Sequence, residues 1–231
     1  RLLVGADGPL SRGAKNAGIS GKREILTAFG ADVKGYKGKD THVDLFVGSE
    51  LAPRFFGWGI PTGPNEGRIG IATTLPHKPM PFFRDYFLKG APSKLLGGAK
   101  IINLISGLIP FGVASPSYTD NIILTGDAAG MAKPTSGGGI YSGLISADAA
   151  FEVASKALNS GNLSSANLSE YQALIVNRIG GELTKGSYLR KAFLSLNDNQ
   201  LAEIISILGE PKVKKAIEKK VKYSGCSIHY V

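Results

Sequence analysis

The 231-residue sequence predicts an α/β (α+β) protein, and three observations support this fold class. Two short apolar runs, Leu2 to Val4 and Ile122 to Leu124, each end at a glycine-containing loop, as buried strands do. Between them the pattern alternates and is punctuated by turn residues, which is typical of an antiparallel sheet. After Gly161 the pattern becomes helical.

The first element is the strand at Leu2 to Val4, which stops at the turn Gly5-Ala6-Asp7-Gly8-Pro9. The sequence starts with Arg1, without a starting Met or the pattern of a signal peptide. We therefore expect the given start to be a cut. The same cut is expected to leave Leu2 to Val4 and Ile122 to Leu124 without neighbouring parallel strands.

The second region, 21–117, predicts a mostly antiparallel sheet that forms a layer of its own. Its strand candidates are the alternating residues of 43–47, a hairpin that joins Phe55–Pro61 to Arg68–Thr74 through Thr-Gly-Pro-Asn-Glu-Gly, and the apolar stretch Ile101–Ile109. In the first of these, Val43, Leu45 and Val47 are expected on one face.

The third region, 118–160, holds the strand Ile122 to Leu124, a loop and a long helix. The helix is expected to direct one apolar face inward; that face comprises Ile140, Leu144, Ala147, Phe151, Ala154 and Leu158.

The last region, 161–231, predicts a helical subdomain. Asn167 and Glu170 resemble a capping box, and Gly209 with Pro211 ends the helix that holds Leu201, Ile204, Ile205 and Leu208. The lysine-rich stretch 212–222 is amphipathic. It fits a helix lying on an anionic bilayer, but a solvated helix whose apolar stripe covers the core is favoured.

Composition excludes several classes of protein. No apolar run reaches the roughly 18 residues of a membrane-spanning helix. Cys226 is the single cysteine, so a disulfide framework is excluded, and with His229 as its one near neighbour a structural zinc site is excluded as well. The net charge of +9 favours anionic partners.

The strongest chemical signal is the loop from Gly126-Asp127 to the glycine run 137–139 before Ile140. Glycines let the backbone approach a flat or phosphorylated ligand, and a helix N-terminus offers unpaired N–H groups. A carboxylate there accepts hydrogen bonds from sugar-like hydroxyls. From spacing alone, a tight strand-to-helix turn with Asp127 as a cap is favoured over a ligand site.

Three stretches resemble the geranylgeranyl reductase family of the p-hydroxybenzoate hydroxylase superfold. Residues 122–150 resemble its second flavin-contacting motif, Val4-Gly5-Ala6-Asp7-Gly8-Pro9-Leu10-Ser11 its Asp-Gly motif, and residues 52–61 its aromatic substrate-side motif. The three stretches also follow one another along the chain in the same order as the motifs of that family. The resemblance implies a partial FAD-binding Rossmann-like domain (1–20 and 118–160), an antiparallel-sheet substrate domain (21–117) and C-terminal helices (161–231).

The cofactor implied by the resemblance is FAD. Asp127 is placed on the ribityl chain, and the backbone of 137–140 lies near the pyrimidine edge or the pyrophosphate. The full set of expected cofactor-binding residues is Asp7, Gly126, Asp127, Pro134, Gly137, Gly138, Gly139 and Ile140. No Gly-x-Gly-x-x-Gly follows a strand in this sequence, so the ADP half of FAD is expected to bind to an N-terminal segment of the same protein that lies upstream.

The implied substrate-binding residues are Phe56, Trp58 and Pro61. Trp58 is the single tryptophan and stands between two glycines, which fits a ligand wall. The family motif usually begins with Tyr and ends with Phe-Pro, where this sequence has Phe56 and Ile60-Pro61. For Phe82 and Phe83 ordinary core packing is favoured.

The resemblance implies reduction of carbon–carbon double bonds in geranylgeranyl chains of archaeal membrane-lipid precursors. The alternatives are another flavoprotein of the superfold, such as a monooxygenase or a quinone-linked dehydrogenase, and a cofactor-free lipid-binding fragment. Expected partners are an isoprenoid lipid, an anionic membrane surface and an electron donor that the sequence does not identify, with no nucleic acid. The expected location is the cytoplasm, at the inner face of the cell membrane. No catalytic residue or metal ligand is identified.

Overall fold

The computed structural model describes residues 1–19, 23–90, 92–220 and 226–230, with backbone only for Tyr86, 217–220 and 226–230. The chain divides into two compact units. Unit 1 comprises Arg1–Ile25 and Leu108–Leu194, and unit 2 comprises Leu26–Gly107 and Ser195–Val231.

The strands are β1 (Leu3–Gly5), β2 (Glu24–Lys34), β3 (Val43–Val47), β4 (Gly57–Gly63), β5 (Glu66–Thr74), β6 (Lys100–Phe111), β7 (Tyr118–Thr119), β8 (Ile122–Leu124) and β9 (Cys226–Tyr230). The α-helices are α1 (Arg12–Asn16), α2 (Pro79–Phe82), α3 (Ser93–Leu96), α4 (Ile140–Ser160), α5 (Ser165–Leu168), α6 (Glu170–Ile175), α7 (Gly181–Ser195), α8 (Asp198–Gly209) and α9 (Pro211–Lys220). This mixture confirms the predicted fold class.

The small sheet of unit 1 has the strand order β1-β8-β7. β1 and β8 are parallel, with Val4 opposite Ile123. The expectation that these two strands would lack parallel neighbours is therefore wrong, because each is the other's neighbour. Ile123 and Leu124 are fully buried, whereas Leu3 and Val4 remain about half exposed.

The long helix α4 turns a different face inward from the one expected. Ile140 is 84% exposed, and Leu144, Phe151 and Leu158 are exposed as well. The buried side consists of small residues and one valine, namely Ser142, Ser146, Ala149, Ala150, Val153 and Ala157. Small side chains allow neighbouring backbone to approach the helix closely. The buried hydroxyls of Ser142 and Ser146 donate hydrogen bonds to the carbonyls of Gly139 and Gly143, respectively.

The helices after Gly161 belong to both units, which differs from a single C-terminal subdomain. In unit 1, Tyr171, Ile175 and Ile179 pack into the same core as Ile123. In unit 2, the carboxylate of Asp198 at the start of α8 accepts a 2.7 Å hydrogen bond from the Ser49 hydroxyl. Helix α6 therefore contacts unit 1, whereas α8 contacts unit 2.

The predicted capping box at Asn167 and Glu170 is wrong. Ser164 caps α5 through its hydroxyl, and Glu170 begins α6. The capping box that the structure contains joins Asn197 and Gln200 at the start of α8, and α8 ends at Gly209 before Pro211, as predicted.

The large sheet has the order β6-β2-β5-β4-β3-β9. The pairs β2–β5, β5–β4 and β4–β3 are antiparallel, as predicted, and β9 runs parallel to β3. The predicted hairpin is β4–β5, in which Gly63 pairs with Glu66 across Pro64 and Asn65. Asn65 adopts a φ of 57°, a conformation that asparagine tolerates in turns.

The core of unit 2 lies on one face of this sheet, where Ile69 and Ile71 meet Phe83 and Phe87. Phe83 is thus a core residue, as predicted. In β3 the alternation is shifted from the expected one, since Asp44 and Phe46 are buried and Val43 and Leu45 are half-buried. Asp44 tolerates burial because the Tyr36 hydroxyl donates a 2.9 Å hydrogen bond to it.

In the part of the chain that the structure describes, no helix is both long and apolar enough to cross a bilayer. The same residues contain no group of three or more potential metal ligands. The lysine-rich stretch forms α9, in which Lys212, Lys214 and Lys215 are exposed. Val221 and Lys222, which the helix prediction included, lie outside the described residues.

Candidate functional site

The loop between β8 and α4 is shaped by glycines. Gly126, Gly130 and Gly137 have φ values of 54°, 73° and 72°, which residues with a Cβ rarely adopt. Residues Gly126–Ala129 form a 3₁₀ turn at its start. The loop therefore exposes backbone where other residues would place side chains.

Two buried hydroxyls hold this turn in place. The Tyr171 hydroxyl donates a 2.7 Å hydrogen bond to the carbonyl of Leu124, the last residue of β8. The Ser146 hydroxyl accepts one of 3.0 Å from the N–H of Gly126 and donates another to the carbonyl of Gly143. Helices α4 and α6 thus position the residue that follows Gly126.

That residue is Asp127, and among the described residues none donates a hydrogen bond to its carboxylate. Burial raises the pKa of Asp127 above its ordinary value. A Cβ added to Gly139 would lie 2.9 Å from Asp127 Oδ1, so the carboxylate rests directly against the Gly139 backbone. A half-buried carboxylate beside open backbone is suited to accept hydrogen bonds from a ligand's hydroxyl groups.

The N-terminus of α4 adjoins this carboxylate. Gly139 is its N-cap and supplies no side chain to bind the first N–H groups of the helix. The preceding loop is closed by hydrogen bonds from Gly137 N–H to Lys133 O and from Lys133 N–H to Gly138 O. The first turn of α4 therefore leaves N–H donors without a capping side chain, at the positive end of the helix dipole, which is an arrangement able to bind an anion.

The remaining two residues predicted to bind the cofactor have protein contacts. Pro134 packs close to Gly186 of α7, since a Cβ added there would lie 3.2 Å from Pro134 Cδ. Asp7 accepts hydrogen bonds from the Ser11 hydroxyl at 2.6 Å and from the Arg12 N–H at 2.7 Å. The Ser11 hydrogen bond holds the pKa of Asp7 below its ordinary value, and the carboxylate serves to cap α1.

Unit 2 contains an open cavity of about 140 Å³ on the sheet face opposite its core. The lining is apolar apart from Arg68 and Ser106, and it combines glycine backbone with Trp58 and Ile105. The residues that surround the cavity are Ala28, Phe29, Gly30, Trp58, Arg68, Ile69, Ile105, Ser106 and Gly107.

Trp58 lies over Gly70, its neighbour across the β4–β5 hairpin. A Cβ added to Gly70 would lie 2.5 Å from Trp58 Cζ2, so the indole ring occupies the space that a side chain would fill. Phe56 contacts this indole edge-on, with a ring distance of 6.4 Å. Pro61, three residues further along β4, falls on the other face of the sheet and is not brought to the cavity.

Arg68, Gly30 and Ile105 line the cavity and were not predicted as site residues. Arg68 pairs with Asp32 at 2.8 Å, and this hydrogen bond holds the pKa of Asp32 below its ordinary value. These residues come from three strands that are distant in sequence. The sequence does contain one signal of the cavity, which is the position of Gly30 inside β2 and of Gly70 inside β5. Glycine in a strand interior marks the close approach of another group.

No family model matches the chain, but curated proteins and solved structures do resemble it. An uncharacterized protein of Methanocaldococcus jannaschii is 31% identical across 95% of this chain and 56% of its own length. Digeranylgeranylglycerophospholipid reductase 2 of Methanococcoides burtonii is 28% identical across 87% of this chain and 50% of its own length. The chain thus spans about half of the length of these relatives.

Among solved structures, a geranylgeranyl bacteriochlorophyll reductase-like protein of Thermoplasma acidophilum superimposes with a TM-score of 0.83. It shares 23% identity, and the match covers 96% of this chain and 59% of the other. The flavin-dependent brominase Bmp2 shares the fold at a TM-score of 0.62 and 17% identity, over 95% of this chain and 62% of its own. The resemblance to the geranylgeranyl reductase family that the motifs indicated is therefore confirmed along nearly the whole of this chain.

Proposed function

We propose that this protein binds FAD and reduces carbon–carbon double bonds in geranylgeranyl chains of archaeal membrane-lipid precursors. The observation that carries the proposal is the Asp127 carboxylate, which lies against glycine backbone at the start of α4 and receives no hydrogen bond from any described residue. The relatives named as digeranylgeranylglycerophospholipid reductases support the choice of substrate.

In unit 1, Asp127 would accept hydrogen bonds from the ribityl hydroxyls. The backbone N–H groups at Gly139 and Ile140, with the dipole of α4, would stabilise negative charge on the reduced flavin. Bound flavin supplies the hydride. Asp7 is the weaker candidate because its carboxylate is already occupied in capping α1.

In unit 2, the cavity beside Trp58 would hold part of the isoprenoid chain. Its volume of about 140 Å³ is close to the roughly 150 Å³ of an apolar cavity that accommodates benzene. A cavity of this size suits a single isoprene unit of five carbons. Trp58, which Phe56 contacts edge-on, would form one wall, and the backbone of Gly30 would form the floor.

The partners follow from the same proposal. The missing half of the FAD site would come from an N-terminal segment of the same protein. The exposed lysines of α9, Lys212, Lys214 and Lys215, would rest against an anionic bilayer at the inner face of the cell membrane.

The first test is FAD titration of the complete protein in its wild-type form and as the Asp127→Ala variant. Each hydrogen bond to a charged group contributes about 1.5–3 kcal/mol, so we expect about 10- to 150-fold weaker binding. The matched control is Asp148→Ala, which removes a carboxylate of α4 that pairs with Arg178 at the surface. Unchanged affinity and an unchanged flavin spectrum in Asp127→Ala would remove this residue from the site.

The second test separates the two half-reactions by stopped-flow spectroscopy. We expect Trp58→Ala to slow the oxidation of reduced flavin by a geranylgeranyl lipid about tenfold or more, and flavin reduction by less than twofold. Trp58→Phe retains an apolar wall, so its rate of flavin oxidation by the lipid should lie between the rates of the wild-type protein and of Trp58→Ala. Equal losses in both half-reactions, together with a lowered melting temperature, would make Trp58 an ordinary core residue. Rapid reaction of the reduced flavin with oxygen, without lipid reduction, would favour a monooxygenase.

A further inference from the structure

The cavity beside Trp58 contains one charged side chain among the nine residues that line it, and that side chain is Arg68. A purely apolar chain needs no cation beside its binding cavity. An apolar cavity with a cation at its edge matches a ligand that has an apolar tail and an anionic head.

The sheet register places this cation next to the cavity floor. Arg68 stands opposite Asp32 on β2, and Gly70 stands opposite Gly30 one row further along the same sheet face. Successive rows on one face are about 7 Å apart. The charged row formed by Arg68 and Asp32 therefore borders the glycine row that makes the floor.

The guanidinium of Arg68 retains unused donors. Its Nε donates to Asp32 Oδ1 at 2.8 Å and its Nη2 approaches Oδ2 at 3.4 Å, and no other partner is present among the described residues. The side chain is 54% exposed. Exposed ion pairs of this kind contribute little to stability, so rearranging this pair around a second anion costs little.

A phosphate group fits these donors better than a neutral head group does. The planar guanidinium fork binds phosphate oxygens through two parallel hydrogen bonds. Isoprenoid precursors and phospholipids carry phosphate close to the apolar chain. The proximity of Arg68 to the cavity floor requires the same arrangement in the ligand.

We propose that Arg68 binds the phosphate or diphosphate group of a phosphorylated isoprenoid, with the isoprene unit nearest to that group in the Trp58 cavity. The isoprenoid class rests on the function proposed above, and the assignment of the phosphate to Arg68 is additional. Asp32 holds the guanidinium in place through the ion pair, and its negative charge repels the phosphate of the ligand. The affinity for the phosphorylated ligand therefore depends on Asp32.

The test is calorimetric titration of the flavin-loaded protein with two probes that share a tail, geranyl diphosphate and geraniol. We expect Arg68→Gln to weaken diphosphate binding at least tenfold and geraniol binding less than twofold. Asp32→Asn removes the opposing charge and should tighten diphosphate binding about threefold or more. A gain of affinity of this kind does not arise from misfolding.

The matched control is Arg84→Gln. Arg84 pairs with Asp85 at 2.6 Å, is as exposed as Arg68, and does not line the cavity. We expect it to leave both probes unchanged. Inorganic pyrophosphate is the third probe, and it should bind at least tenfold more weakly than geranyl diphosphate because it lacks the tail.

Three results would overturn the assignment. Equal weakening of both probes by Arg68→Gln would show that the residue only supports the cavity. Unchanged diphosphate binding in Arg68→Gln and Asp32→Asn would place the phosphate elsewhere. Pyrophosphate binding as tight as that of geranyl diphosphate would identify a site for free phosphate. If neither prenyl probe binds to the wild-type protein, the isoprenoid function itself fails, which is a distinguishable outcome.

Discussion

Glycine serves two different purposes in the loop of unit 1 and in the sheet of unit 2. In the loop, Gly126, Gly130 and Gly137 adopt positive φ angles, so glycine is required for its backbone conformation. In the sheet, Gly30 and Gly70 have extended backbones, and glycine is required because a Cβ has no room. The first arrangement exposes backbone to a ligand, and the second creates a floor beneath an aromatic ring.

The largest expected effect is in the sheet. A Cβ at Gly30 would lie 2.3 Å from the backbone oxygen of Ile69, and backbone within a central strand pair cannot move aside cheaply. We expect Gly30→Ala to lower the free energy of unfolding by about 1–3 kcal/mol, measured by urea denaturation. Gly107→Ala is the control, since a Cβ there meets nothing within 4 Å although the residue lines the same cavity. Equal stability of the two variants would contradict the steric explanation.

A smaller effect, on binding rather than on folding, is expected in the loop. Gly139 has an ordinary φ of −110°, so alanine fits its backbone, but the added Cβ would displace the Asp127 carboxylate. We expect Gly139→Ala to weaken FAD binding about tenfold with little change in unfolding temperature. Gly143→Ala, one turn further into α4 and free of close neighbours, should leave FAD binding unchanged and stabilise the helix by up to about 1 kcal/mol. A large fall in the unfolding temperature of Gly139→Ala would place the strain in the backbone instead.

The smallest effect concerns the charge of Asp127 in flavin-free protein. Because burial raises the pKa of this carboxyl, its ionised form destabilises the folded state at neutral pH, and the penalty disappears as the pH falls through the raised pKa. We expect Asp127→Asn to raise the melting temperature at pH 7 on the order of 1–2 °C, and by less at pH 4. If the difference in melting temperature between Asp127→Asn and the wild type grew as the pH fell, the prediction would be wrong.

Local patterns predicted most of the elements. The strand at Ile122 to Leu124, the hairpin β4–β5 and the end of α8 at Gly209 all depend on neighbouring residues in the sequence. The buried face of α4 could not be predicted in this way, because the apolar stripe marks the larger side chains and the core selected the alanines and serines. The burial of Asp44 depends on Tyr36, which reaches it from outside the strand.

The residues of the candidate site also fall into two groups, those that a local pattern predicted and those that it did not. Asp127 and Gly139 lie within one strand–loop–helix segment, so a local pattern singled them out. Spacing alone favours a capped turn, and their assignment to a cofactor site came from the family resemblance. That role stays a prediction, which the FAD titration tests. Arg68, Gly30 and Ile105 meet only because β5, β2 and β6 are brought together in one sheet. Pairing between distant strands is not encoded in any short motif, so Arg68 could be found only in the folded chain.

The position of the single tryptophan has a practical consequence. Because Trp58 borders the cavity, the entire indole emission of these 231 residues originates at the surface that a ligand would cover. Exclusion of water from a half-buried indole shifts its emission to shorter wavelength. Titration of the unlabelled, flavin-free 231-residue chain would therefore report cavity occupancy through the fluorescence of this one tryptophan.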